Sequence, residues 1–536
     1  MTLNVDAVVR RPIASRRRCS RHIGFDPRTM STAVPLPVAI VASAIAGAAL
    51  DLAYPELGWW PVAFASVTIG LWTLRGRSLP AAFLVALVYG AAFYFTHLVW
   101  VSRFLGPIPW VALAGLESLL FGAGGMLIAL AYRVMTSRSR CGYSMITPAL
   151  IAGVWVLRET VMGTFPYTGF PWARIGFTLT QSPFAEAASW VGTTGLSFLT
   201  VLICASSLDA LADRRWRPGA VAVLALTATA LAPLFPTTHA GAIRVGWVQG
   251  NGPSGYFDTK APGDIMRAQE EATAPLLERG MDLLVWPEGA VDADPLQNAD
   301  VAERLDRLVE AAGAPALVNA ATVRGDDTFN TSILWAKAGP RQIHDKANPV
   351  PFGEYVPDRW FYEAIAPDLI GLIQREYTPG SNTPLMNVGS VPVGLAICFD
   401  VIYDDVIEDS AAKGAQLYVF QTNNADFRGT DENLQQLAIA RMRAIETGRS
   451  IVNVSTTGTS QVIRPDGTAL AELAVNTRGA NVTEVPLYTG TTPAVILMPW
   501  IGWALSMGTV LMLLVTTATR HQRAGEDFRF HEGNTL

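Results

Sequence analysis

The feature that most restricts what this chain can fold into is a series of apolar runs, each close to the length needed to cross a lipid bilayer. A spanning helix needs about 20 mostly apolar residues, and runs at 33–53, 58–74, 80–101, 108–131, 145–163, 183–208 and 219–235 approach or meet that need. An eighth, PAVILMPWIGWALSMGTVLMLLV from Pro493 to Val515, follows a long and more polar stretch. One or two such runs could be buried core helices, but the whole series cannot. Composition agrees: 50% hydrophobic and 16% charged residues with a mean hydropathy of +0.28 exclude an ordinary water-soluble protein. Disorder is excluded by the low charge and the 22 Phe, 15 Trp and 13 Tyr. A net charge of -5 carries no nucleic-acid signature.

The arginines set an expected orientation, because short loops rich in Lys and Arg stay in the cytoplasm. With the tail RRPIASRRRCSRH inside, threading the spans puts Arg75 and Arg77, then Arg133, Arg138 and Arg140, then Arg214, Arg215 and Arg217, and finally Arg520 and Arg523 on that side. The opposite short loops hold Arg103 and Arg174. The expected division is a basic cytoplasmic tail at 1–32, seven transmembrane helices at 33–235, an exported domain at 243–487, an eighth transmembrane helix at 493–516 and a cytoplasmic tail at 517–536. Both termini are then cytoplasmic, and the large polar domain is extracytoplasmic.

Under this topology Cys19 and Cys141 are cytoplasmic, Cys204 lies in the sixth span, and Cys398 alone is exported. A disulfide within the exported domain is therefore impossible. A lone exported thiol is either an inert core residue or a nucleophile.

In the exported segment the pattern changes to short apolar runs alternating with helical stretches. IRVGWVQG, MDLLVWPEG, APALVNAATV, TSILWA, VPVGLAIC, AQLYVFQTN, SIVNVST and TSQVIRPDG read as strands. DIMRAQEEATAPLLERG, ADVAERLDRLVEAAG and ENLQQLAIARMRAIETG read as helices, each closed by glycine. Several strands are apolar throughout, which suits a sheet covered on both faces, so a layered α/β domain is expected.

Chemistry-bearing residues fall where apolar strands end. LLVWPEG delivers Glu288, IHDKANPVPFGEYVP holds Lys346 and Glu354, and GLAICFD ends in Cys398 with Asp400 two residues on. Singly these also read as a turn glutamate, a solvated lysine and a core cysteine. Together they supply what acyl chemistry on a thiol needs: a carboxylate to take the thiol proton and an ammonium to hold charge developing on a carbonyl oxygen.

This set, in the contexts WPEG, DKANPVPFGEYVP and AICFD, resembles the Glu-Lys-Cys triad of the nitrilase (carbon-nitrogen hydrolase) superfamily. VQGN at Val248–Asn251 and QLAIARMRAIETGR extend the likeness. The seven spans before it, the single span after it and GFPW at Gly169–Trp172 resemble the superfamily's bacterial membrane branch, the apolipoprotein N-acyltransferase family. The resemblance implies a four-layer αββα sandwich on a multi-span helical domain and a two-step acyl transfer. Cys398 would attack a phospholipid ester, leaving a thioester. The α-amine of a diacylglyceryl-cysteine at the N-terminus of an apolipoprotein would then take the acyl chain. It implies Glu288 as base and then acid, Lys346 at the oxyanion, and Glu354 as an aid in positioning the lysine and the tetrahedral intermediate. Asp400 stands where relatives have a glutamate, which shortens its reach, and Asp426 where better-known relatives have a tryptophan lining the entrance. Phe399 replaces a tyrosine.

Both implied substrates are held in a membrane by acyl chains, so spans that tether the site beside them fit the chemistry. DRWFYEAIAPDLIGLIQ, Asp358 to Gln374, is rich in large apolar residues and reads as a lid over acyl chains or as a core helix. Arg158, with Glu159, is a charge within the fifth span, placed either to contact a phospholipid headgroup or to snorkel to the interface. Trp172 and Phe170 read as interfacial anchors, with Trp172 a secondary candidate for substrate contact. No His and Cys cluster at metal-ligand spacing and no phosphate-binding loop pattern is present, so no metal or cofactor is expected. Two rival readings remain at this level: a membrane-anchored amidase using the same triad with water as acceptor, and a non-catalytic lipoprotein-binding scaffold.

Overall fold

The computed structural model describes residues 33–136, 146–213 and 216–532. The basic tail at 1–32, Cys19, Cys141, Arg138, Arg140, Arg214, Arg215 and the side chains of Arg520 and Arg523 lie outside the described residues.

Each of the apolar runs forms helix. The first part of the chain holds α1 (Leu36–Leu50), α2 (Pro61–Leu74), α3 (Leu79–His97), a one-turn α4 (Ser102–Leu105), α5 (Pro107–Thr136), α6 (Ile146–Met162), α7 (Ala188–Asp213) and α8 (Trp216–Leu231). Five segments are long and apolar enough to cross a membrane: Leu36–Ala53, Leu79–His97, Pro107–Met135, Ala185–Ala212 and Pro493–Thr519. The other three expected spans form shorter helices among the described residues. Helices α2, α6 and α8 have 14, 17 and 16 residues, roughly 21 to 26 Å at 1.5 Å per residue against a hydrocarbon core of about 30 Å. Local sequence explains two of the ends. Pro61 opens α2, and Pro233 disfavours helix at Ala232, just after α8 stops. Helix α6 is buried along most of its length, with Leu150, Ile151, Val154 and Val156 at 2% exposure or less, so protein covers it. Helix α7 is interrupted at Gly192, whose φ of 68° lies in the left-handed region that glycine tolerates.

From Thr238 the chain builds β1 (Thr238–Gln249), α9 (Asp264–Thr273), β2 (Leu283–Val285), α10 (Ala299–Ala312), β3 (Ala316–Arg324), β4 (Asp327–Ala336) and β5 (Gly339–Asp345). Two short helices, α11 (Arg359–Ile365) and α12 (Pro367–Ile370), precede β6 (Leu385–Val388) and β7 (Val391–Ile397). Then come α13 (Asp404–Ala412), β8 (Leu417–Thr422), α14 (Glu432–Thr447), β9 (Ser450–Ser455), β10 (Ser460–Ile463), β11 (Ala469–Leu473) and β12 (Gly479–Thr489), and α15 (Pro493–Glu532) returns to the bundle.

The strands form two six-stranded sheets in the orders β12-β1-β2-β3-β4-β5 and β11-β10-β9-β8-β7-β6. Each has a parallel centre (β1-β2-β3 and β7-β8-β9) and antiparallel flanks. Apolar side chains from both sheets, among them Trp247, Val285, Leu395, Val419 and Val452, fill the space between them. Helices α9 and α10 cover the outer face of the first sheet, with Met266 and Leu305 buried on Trp286 and Val318. Helices α13 and α14 cover the second, and their buried residues Val406, Leu437 and Ile445 run on into the core of the membrane bundle. The expected αββα sandwich is therefore the fold, and its second helix layer is shared with the bundle.

Candidate active site

The carboxyl ends of three strands, β2, β5 and β7, deliver the site, as expected where ligands bind beyond the carboxyl ends of strands. Strand β7 is buried from Val393 to Ile397 and stops at Cys398, whose φ of 49° turns the chain sharply at the thiol. A non-glycine residue held there costs roughly 1 to 3 kcal/mol, so the surroundings must enforce it. They do. Asp400, fully buried, accepts from Ile397 N (3.4 Å), Ala347 N (3.3 Å) and Asn348 N (2.9 Å), clamping the cysteine turn to the lysine loop. Arg443 of α14, also fully buried, donates to the carbonyls of Val401 and Ile402, each at 2.9 Å. Despite its shortened reach, Asp400 thus binds the cysteine turn and the lysine loop to each other. Burial pushes its carboxyl up to about 6, with Lys346 and the Asn348 and Ala347 amides opposing.

Lys346 follows β5, and its ammonium is 1% exposed, 2.8 Å from Glu354 Oε2 and 3.3 Å from Glu288 Oε1. Glu288 lies just past β2. The next residue, Gly289, has φ 63° and turns its N–H onto Asn319 Oδ1 at 2.7 Å. Asn319 Nδ2 donates to Asn330 Oδ1 (2.9 Å), and Asn330 Nδ2 donates to both Glu288 Oε1 (2.8 Å) and Glu354 Oε1 (2.9 Å). Glu354 Oε2 also accepts from Val350 N at 2.7 Å.

Two carboxyls and one ammonium in a buried site cannot be equivalent. Burial pulls the Lys346 ammonium down, but Glu288 and Glu354 together hold it well above its usual value. Burial pushes Glu354 up, and the nearer lysine with the Val350 amide outweighs it, so Glu354 stays ionised. At Glu288 burial wins over the more distant lysine, and its carboxyl sits above the usual range. Burial, then Glu288, pushes the Cys398 thiol well above its usual value. Cys398 therefore rests as a neutral thiol, close enough to Glu288 to feel its charge. Gln436 Nε2 lies 3.5 Å from Cys398 Sγ, and the backbone N–H of Asn423 faces the sulfur.

Cys398, Lys346, Glu288 and Glu354 line a cavity of about 1010 Å³. Its other walls come from the bundle, including Ile108, Leu113 and Leu116 of α5, and from Tyr362, Leu369 and Ile370 in the 358–374 segment. That segment is a wall of the cavity rather than a core helix: Trp360 is 76% and Ile365 65% exposed. Trp172 also lines the cavity, is 2% exposed and donates to Gln435 Oε1 at 2.7 Å, so its reading as an interfacial anchor is corrected. Asp426 lines the cavity and accepts from Tyr256 N at 2.7 Å, and burial raises its carboxyl.

Arg158 is buried within the bundle. It is 8% exposed, its guanidinium lies 4.2 Å from the Phe121 ring centre and 4.5 Å from that of Trp155, and it is 3.6 Å from Glu159. Stacking and pairing hold it there. Among the described residues no group of three or more His, Cys, Asp and Glu is placed to hold a metal.

Asn330, Gln436 and Glu432 join the site without having been singled out in the sequence. Asn330 had one signal, a polar residue in the buried run of β4. Glu432 and Gln436 had another, polar side chains four apart on one face at the start of α14.

A layered sandwich with cysteine, lysine and glutamate at its strand ends is a nitrilase-type domain, and the carbon-nitrogen hydrolase family matches residues 244–492. The apolipoprotein N-acyltransferase N-terminal domain family matches residues 46–206. An apolipoprotein N-acyltransferase of Mycolicibacterium smegmatis is 32% identical over 546 aligned positions, covering 93% of this chain and 87% of that one. One from Ralstonia nicotianae is 30% identical, covering 92% and 96%. Among solved structures, an amidase from Nesterenkonia sp. aligns over 47% of this chain and 93% of its own at 21% identity and a TM-score of 0.36. The chain belongs to the apolipoprotein N-acyltransferase family.

Proposed function

We propose that this chain transfers an acyl chain from a phospholipid, through a thioester on Cys398, to the N-terminal amine of the diacylglyceryl-cysteine of an apolipoprotein. The observation that carries this reading is the cavity at Cys398, about a third of whose lining residues come from the bundle and its loops and are nearly all apolar, as acyl chains require and small polar amides do not. Glu288 takes the thiol proton as sulfur attacks the ester carbonyl. Lys346, held by Glu354, stabilises the oxyanion, and Glu288 returns the proton to the departing lysophospholipid alcohol. In the second half-reaction the acceptor amine attacks the thioester, and Glu288 passes a proton to the leaving sulfur.

We place the catalytic domain outside the cytoplasmic membrane and both termini inside. The loop holding Trp100 and the GFPW loop meet this domain: Trp100 packs on Phe427 at 5.0 Å, and Arg174 pairs with Asp404 at 2.8 Å. At the other end Arg133 donates to the Arg77 carbonyl, gathering the basic loops on the opposite side.

The test is to incubate the detergent-purified protein with phospholipid vesicles and a diacylated lipopeptide bearing a free amine. Triacylated peptide and lysophospholipid should form in equal amounts. Ammonia release from small amides without either product would instead favour an amidase.

A further inference from the structure

Glu432 stands in the same cavity as the nucleophile but outside the arrangement around Lys346. It opens α14, is 2% exposed and lines the cavity. Its Oε2 accepts from Asn424 Nδ2 at 2.8 Å, and the same Nδ2 donates to Gln436 Oε1 at 3.0 Å. Gln436 in turn touches Cys398 Sγ through Nε2. Asn424 therefore fixes the carboxyl relative to the side chain that meets the sulfur, one helical turn away. Glu432 Oε1 has no hydrogen-bond partner, and Glu432 no ion pair, among the described residues.

Proton balance says what such a carboxyl can do. Near neutral pH an α-amine is largely ammonium, with an ordinary pKa of about 7.7 to 8.0. Becoming an amide costs it two protons. One restores the thiol through Glu288, and the other needs a second acceptor. We propose that Glu432 receives the acceptor's α-ammonium and takes this other proton before the thioester is attacked. This rests on the transfer reading above. The ammonium gives one proton to the Glu432 carboxylate, leaving a neutral amine. Its lone pair forms the C–N bond to the thioester carbonyl. As the C–S bond breaks, the nitrogen's next proton passes through Glu288 to sulfur, and Glu432 releases its own to water. The sum is one amide, one thiol and one proton in solution.

The electrostatics fit. Burial pushes the Glu432 carboxyl up to about 8, with Asn424 opposing and the Glu288 charge adding, so it lies close to the amine it would serve. The groups that act on it are Glu288 beyond β2 and the Asn424 amide, and its own charge reaches the Cys398 thiol beyond β7. Without acceptor it is largely neutral near pH 7, and an arriving ammonium favours its ionised form.

The experiment separates the half-reactions. The acyl-enzyme is made from phosphatidylethanolamine vesicles and then chased with diacylated lipopeptide or with hydroxylamine, a nucleophile that is already neutral at pH 7. In Glu432→Gln the adduct should still form. Its transfer to lipopeptide at pH 7 should fall by about 10² or more and recover above the amine's pKa, while the hydroxylamine chase keeps its rate. Unchanged lipopeptide transfer, or equal slowing of adduct formation and of both chases, would overturn the proposal. Should that variant fail to fold, Glu432→Asp, with its shorter reach, should give a partial form of the same selective loss and the same alkaline recovery; loss without that selectivity counts against it. Failure of the unmodified protein to form any adduct would instead be failure of the transfer reading.

Discussion

Lys346 sits half an ångström closer to Glu354 than to Glu288 (2.8 against 3.3 Å), and on the proposed mechanism that difference divides the labour between two glutamates. The carboxylate nearer the lysine stays ionised and holds it. The other, lifted by burial, is the proton carrier. Glu288→Gln should therefore slow thioester formation by about 10² to 10⁴, with partial recovery as alkaline pH supplies thiolate directly. Lys346→Met should slow both half-reactions by about 10² or more without comparable recovery. Single-turnover rates across pH check both, and equal alkaline rescue of the two variants would contradict the assignment. The sign of the acid limb follows too. Glu288 must be ionised to act, so acylation in the unmodified protein should fall as pH drops through its raised pKa, above the ordinary carboxylate range. Lys346→Met removes the charge that lowers Glu288, so the limb should move to higher pH. Glu288, Lys346, Glu354 and Cys398 were legible because each follows an apolar strand or sits in a distinctive proline-rich loop. Asn330 and Glu432 were not, because what makes them part of the site is a partner on a distant strand or loop, and spacing along one chain does not reveal that.

At the level of elements, α14 joins the site to the bundle. Arg443 pairs with Glu446 and Asp404 at 2.8 Å each, while Glu446 accepts from Thr193 Oγ1 at 2.6 Å, one residue past the break at Gly192. Asp404 also takes Arg174. The same arginine holds two carbonyls of the cysteine turn, so a change here reaches both the interface and the nucleophile. Arg443→Met strands buried carboxylates and should destabilise the protein by about 3 to 5 kcal/mol, read as a lowered urea midpoint in detergent. A shift under about 1 kcal/mol would mean that the network does not hold the domain to the bundle. The strands that hydropathy marks are the central, fully buried ones. Strands β5, β6, β11 and β12 escaped notice because they lie at sheet flanks, where half-exposed residues such as those of GPRQIHD and GANVTEVPLYT mix polar and apolar faces. The bounds of α2 and α8 differ from the apolar runs at 58–74 and 219–235, because apolar residues run on past the prolines that bound the helix.

Across the whole molecule the reading depends on one cavity belonging to two parts of the chain, and on which side of the membrane it opens. The sequence carried the division into an apolar bundle and a layered α/β domain, since each leaves its own periodicity. That α13 and α14 would be buried against the bundle was not legible, because their apolar faces look the same whether they cover a sheet or also meet another helix. A reporter fused after Ala240 should be active only when exported, and one in the loop near residue 214 only when cytoplasmic. The reverse pattern would put the cavity out of reach of outer-leaflet lipids. The most direct test of the central claim is the intact mass of the purified protein after incubation with a single-species phospholipid. We expect one added acyl group, mapped to Cys398, absent in Cys398→Ala and lost with formation of triacylated product when diacylated lipopeptide is added. An adduct that persists in Cys398→Ala, or one on Cys398 that lipopeptide never discharges, would contradict the account.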